Sequence, residues 1–141
     1  MSMALMPRSI RAADMVVCPT LPDLFNLGSL LDTVQLLEAA GNLDVTVGVI
    51  NNVDKAGEGA RIGEAKAVME RFKMAVSPSV IRHRQEFQTA VEKGKAVTEL
   101  GAKSKAAADE IRALWNHLDG RTARPSTTAN KPKRKAKEAK Q

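Results

Sequence analysis

The sequence has no tyrosine, one tryptophan (Trp115) and three phenylalanines, an aromatic content of 3%. A core must therefore be built from Leu, Val, Ile, Ala and Met, which favours helices packed on a short sheet. Cys18 is the single cysteine, so an intramolecular disulfide and a multi-cysteine metal site are both excluded. Its apolar neighbours suit an ordinary buried thiol. No apolar run approaches the roughly 20 residues of a membrane-spanning helix. The first ten residues also lack a lysine-led leader with a long apolar stretch, and the expected location is the cytoplasm.

What is present is one domain's worth of chain: 141 residues, 43% hydrophobic and 27% charged, with the charge unevenly placed. Residues 1–120 carry 14 basic and 15 acidic side chains, whereas residues 121–141 carry eight basic and one acidic. The formal excess of +6 thus comes from the last stretch, which includes Pro125 and Pro132 and has no Leu, Ile, Val, Phe or Met. Such a segment cannot bury enough apolar area to fold alone. The expected division is a folded unit over 1–120 and a disordered Lys/Arg-rich tail over 121–141.

The periodicities alternate. Met15–Cys18 reads as a short buried strand ended by Pro19. Leu27, Leu30, Leu31, Val34 and Leu37 recur at helical spacing, predicting a helix over 26–40 that stops at Gly41 and Asn42. The β-branched run Val45–Ile50 predicts a second strand. A helix over 60–72 with Ala65, Val68, Met69 and Phe72 on one face follows, then a short strand at Met74–Val76. After Pro78 a helix is expected over 83–93, with Phe87 and Val91 inward and Gly94 as its stop. The last helix should run from Ser104, its cap, to Leu118, with Ile111, Leu114, Trp115 and Leu118 as its apolar stripe and Gly120 as its stop. Strands alternating with helices of this length imply an α/β fold: a partial doubly wound, mostly parallel sheet flanked by helices, with few strands for a complete domain.

Five segments in order resemble the ParA-type partition ATPase family, the MinD/ParA branch of the P-loop NTPases. They are RAADMVVCP (11–19), LPDLFNL (21–27), VGVINNV (47–53), VSPSVIRHRQEF (76–87) and KSKAAADEIRAL (103–114). The resemblance spans roughly residues 8–118, and it is to the C-terminal half of that family's domain. The family's Gly-rich loop with Gly-Lys-Ser/Thr has no counterpart here, and no Asp closes an apolar strand before residue 8. Those groups cradle phosphates, neutralise transferring charge and position Mg²⁺. Without them no catalytic residue is assigned, and ATP hydrolysis by this chain alone is not expected. ATP and Mg²⁺ are implied for the complete family domain only.

By resemblance, Asn51 and Pro78 take a place on the adenine side; read as residue types alone, they form a polar turn and a chain reversal. Arg82, His83 and Arg84 stand at a loop-to-helix junction. There Arg82 and Arg84 offer phosphate contacts to DNA or, equally, form a solvated helix start. His83 has no companion at metal-ligand spacing. Lys131, Lys133, Arg134, Lys135, Lys137 and Lys140 form a polycation whose expected partner is nonspecific DNA, with a merely solubilising tail as the alternative. The tail lacks the apolar face that stable membrane anchoring needs, so no membrane partner is expected. The resemblance further implies a truncated or split plasmid or chromosome partition protein that retains DNA-facing and dimerisation elements, with nucleoid association, a ParB-like partner, and a homodimer or pairing with a full-length relative. Against this stand two other readings, a nonenzymatic DNA-associating or regulatory module and a vestigial product.

Overall fold

A computed structural model describes residues 6–54 and 58–122. Helix α1 (Met6–Ala12) leads into strand β1 (Val16–Thr20), helix α2 (Leu24–Ala40), strand β2 (Thr46–Ile50), helix α3 (Glu58–Arg71) and strand β3 (Ala75–Val76). Helices α4 (Gln85–Glu92) and α5 (Lys105–Thr122) complete the described residues, with short 3-10 turns at 97–99 and 102–104 between them. The three strands form one parallel sheet in the order β1-β2-β3, with Val16 beside Thr46 and Gly48 beside Val76. This is the α/β architecture that the alternating periodicities predict.

The order of the sheet dictates its layers. Right-handed crossovers that step always in one direction put their helices on one face, and α2 and α3 accordingly share a core. Leu30, Val34, Leu37, Ala65, Met69 and Met74 meet Ile50 there, with Val16 and Cys18 against them. The other face falls to what comes next in the chain. Val47 and Val49 pack with Ile81, Phe87, Ile111, Leu114 and Leu118. Every residue of β2 is buried, as a central parallel strand covered on both faces must be.

Element boundaries depart from the periodic expectations where local chemistry intervenes. β1 continues through Pro19 to Thr20 because proline's missing N–H falls on the unpaired side of the strand. The Val16 N–H donates to Val45 O at 3.1 Å and the Asn51 N–H to Thr20 O at 2.9 Å. Val16, Cys18 and Thr20 therefore present their backbone groups to β2, and Val17 and Pro19 present theirs outward. α2 begins at Leu24 rather than 26 because Asp23 caps it, its Oδ1 accepting from Asn26 N–H at 2.8 Å. Gly41 ends that helix in the left-handed region, φ 75°. α1 carries no long periodic signal and was not expected. It is tied down by Asn42, whose side-chain amide donates to Ile10 O and Ala13 O.

Three apolar residues expected inward lie outward. Leu31 is 44% exposed, Val91 80% and Trp115 67%. By helical angle Trp115 belongs beside the buried Ala108, but two turns further along α5 it lies exposed. Ser104 is not the N-cap acceptor of α5; its buried hydroxyl points backward and shares its one proton between Gly101 O (2.8 Å) and Val97 O (3.1 Å). Gly120 does not stop α5, which runs through it to Thr122, so the expected boundary at 120 falls inside the helix. The remainder of the tail, 123–141, lies outside the described residues.

Gly48 is the one glycine of the sheet, and a Cβ there would stand 2.5 Å from Met69 Sδ and 3.1 Å from Met74 Sδ. Gly48→Val should cost about 1–3 kcal/mol by overpacking, read from urea melts, and Met69→Ala in the same chain should recover part of that loss. Burial raises the pKa of the half-buried Cys18 thiol above its ordinary value, against a smaller lowering by the Thr20 side chain. A raised pKa favours the fold below the unfolded thiol's pKa, and that contribution disappears as pH rises through the folded value. Alkylation of Cys18 in the native chain should accordingly be slower at neutral pH than in the urea-unfolded chain, and accelerate only at a higher pH.

Candidate functional site

The carboxyl ends of β1 and β2 open onto a groove of about 610 Å³ on the α4/α5 side of the sheet. Its floor is β1 and β2, through Val17, Pro19 and Val49, and its far wall is α5, through Ile111 and Leu114. Asn51, Asn52, Arg82 and Arg84 line it as well. The polar residues reach it because the chain after β2 is zipped to the chain before α4. Ile81 N–H donates to Ile50 O (3.0 Å), Val53 N–H to Ile81 O (3.2 Å) and His83 N–H to Val53 O (3.0 Å). Asn52 takes a left-handed φ of 55°, and its Oδ1 lies 2.8 Å from His83 Nδ1.

One carboxylate organises both arginines. Glu110, on α5, accepts from Arg84 Nε (3.1 Å) and Nη2 (2.7 Å) through Oε1, and from the Arg82 backbone N–H (3.1 Å) through Oε2. The Arg82 guanidinium stands 3.7 Å from the same Oε1. The Glu110 side chain is only 13% exposed and that of Arg84 23%, so this is a shielded ion pair with fork geometry rather than a solvent-swept surface contact. It fastens the start of α4 to the second turn of α5.

Of the residues singled out in the sequence, the groove brings together Asn51, Arg82 and Arg84. Pro78 lies exposed beyond β3, on the loop where Ser79 N–H donates to Ser77 Oγ at 3.1 Å. Lys131, Lys133, Arg134, Lys135, Lys137 and Lys140 lie outside the described residues. Sequence reasoning missed Glu110 as the partner of the two arginines. The contact spans 26 and 28 residues, and no local spacing signals it. A smaller crevice of about 110 Å³ lies at the same end of the sheet, between Asp23 and Arg61. Among the described residues no three His, Cys, Asp or Glu side chains are gathered to hold a metal ion, and no helix is long and apolar enough to cross a membrane.

The fold and groove define a class: an α/β chain whose parallel strands deliver loop residues to a cleft at their carboxyl ends, where open α/β sheets bind their ligands. No family model matches the chain. It is 26% identical over 121 residues to Maintenance of carboxysome distribution protein A of Halothiobacillus neapolitanus, a match covering 84% of this chain and 55% of the relative. The chain thus spans about half the length of the curated relative it matches. The likeness supports a distant ParA-like relationship.

Removing Glu110 tests the organising contact. Glu110→Ala should lower unfolding stability by about 1–3 kcal/mol, the worth of hydrogen bonds to a charged group, in urea melts. Arg84→Ala should cost a similar amount, and the double variant less than the sum.

Proposed function

We propose that this chain is a ParA-like positioning protein whose part in the process is to associate with DNA, with nucleotide chemistry supplied by residues outside these 141. The likeness over 84% of the chain to a distribution protein carries the proposal. The missing Gly-Lys-Ser/Thr loop supports its second half: nothing in this sequence offers the backbone cradle and lysine that hold β- and γ-phosphates. ATP and Mg²⁺ therefore belong to a complete domain, formed with a preceding segment or with a separate polypeptide.

DNA association rests first on the polycation Lys131, Lys133, Arg134, Lys135, Lys137 and Lys140. Such a segment gains affinity by releasing counterions from the duplex and reads no sequence. Arg82 and Arg84 contribute less: Arg84 already donates from Nε and Nη2 to Glu110, and the Arg82 guanidinium stands 3.7 Å from the same carboxylate. The resemblance assigns the adenine side to Asn51, which lines the groove, and to Pro78, on the loop beyond β3. A ParB-like partner, self-association or pairing with a full-length relative, and a place in the cytoplasm on the nucleoid complete the proposal. The tail's lack of apolar residues disfavours the bilayer. The same tail also favours a second reading, a nonenzymatic DNA-associating or regulatory module that needs no nucleotide at all.

Fluorescence anisotropy with a random-sequence duplex separates the two. Full-length chain should bind, and deletion of residues 121–141 should abolish most of the affinity. The slope of log K against log salt should be about −5 if the six named cations each neutralise one phosphate. Binding that ignores both ATP and an added nucleotide-binding half supports the module reading. Binding that is tightened by ATP together with that added half supports the first reading. A tail-deleted chain with undiminished affinity would overturn the role given to the polycation.

A further inference from the structure

We propose that the indole of Trp115 is the docking point of the chain's own basic tail, and that DNA and Trp115 compete for that tail. Trp115 is 67% exposed on α5, and it is the chain's single tryptophan. Of all side-chain surfaces, the face of an indole attracts a cation best. The cation one turn back on the same helix is held elsewhere, since Arg112 Nη1 donates to Asp109 Oδ1 at 3.2 Å.

Length and composition make the tail the fitting occupant. α5 ends at Thr122, roughly 10 Å beyond Trp115 along the helix, and Pro125 disfavours a helical continuation through Arg124. About four residues of extended chain retrace that distance. Residues 123–141 carry seven Lys and Arg against one acid, Glu138, and have no Leu, Ile, Val, Phe or Met. Such a segment can offer an exposed ring a charge over its face and the methylene stems of Lys and Arg along its edge. Residues 1–120 hold 15 acidic and 14 basic side chains, so the body's net charge does not repel the tail. Several cations tethered within reach of one ring keep it engaged by effective concentration, although each contact is weak. A duplex draws on the same cations by counterion release. A cation pairs with the ring or with a phosphate and not with both, so each contact weakens the other by one and the same factor.

The competition rests on the DNA-associating role of the tail, whereas the contact with Trp115 does not, so the two can be read apart. The chain has no tyrosine, and its intrinsic fluorescence therefore reports Trp115 alone. Acrylamide should quench that fluorescence less in the full chain than in a full-length variant whose Lys and Arg residues within 123–141 are all changed to Gln. Equal quenching in the two would overturn the proposal. Trp115→Leu keeps an apolar side chain at an exposed position but removes the ring. It should bind a random-sequence duplex about two- to fivefold more tightly than the unaltered chain, the worth of an exposed cation–ring contact, while Leu31→Ser should leave the affinity unchanged. If the unaltered chain binds the duplex and Trp115→Leu binds it no better, the competition is overturned. If the unaltered chain binds no duplex, the DNA-associating role fails and the quenching comparison alone decides whether the tail docks on Trp115.

Discussion

Everything described here hangs on the burial of β2. Its five residues are enclosed on both faces and both edges, so each of its backbone groups must be met by a neighbouring strand. β1 on one side and β3 on the other supply those partners in parallel register. Parallel register in turn requires crossover helices, and their right-handedness sends α2 and α3 to a single face. The opposite face would be left wet if α4 and α5 did not return over Val47 and Val49. The groove exists because α5 covers β2 but stops short of covering the outer edge of β1.

The shielded pair between Glu110 and Arg84 does a different job from the apolar core. Hydrophobic contact holds α5 on the sheet without directing it. The fork of Arg84 on one oxygen of Glu110, with the Arg82 N–H on the other, fixes the height at which α4 meets α5. Two cations share one carboxylate at the rim of the groove, so the residues read from the sequence as phosphate contacts are first of all structural.

The likeness to a carboxysome distribution protein covers most of this chain and about half of that relative. It fits a sheet of three strands with an apolar edge facing outward. A parallel sheet is ordinarily covered on both faces, and β1 on the α5 side is not. Among the described residues no strand pairs with the outer side of β1, and Val17 and Leu21 are exposed beside it.

Residue pattern alone determined the alternation of three short strands with helices, the inward faces of Leu30, Val34 and Leu37 on α2, and those of Ala65 and Met69 on α3. Period and β-branching are local properties and need no partner to be seen. Local chemistry also set the stops at Gly41 and Gly94, where only an unhindered backbone adopts the left-handed turn readily. Tertiary structure decided what depends on contacts distant in sequence. It passed β1 through Pro19, because only the sheet order reveals which side of the strand is unpaired. It turned Leu31, Val91 and Trp115 outward, because a helical stripe shows which residues share a face but not where the covering element ends. It joined Arg84 to Glu110 and placed Asn51 beside both arginines, since strand register and helix docking, not spacing along the chain, bring those groups within hydrogen-bond reach.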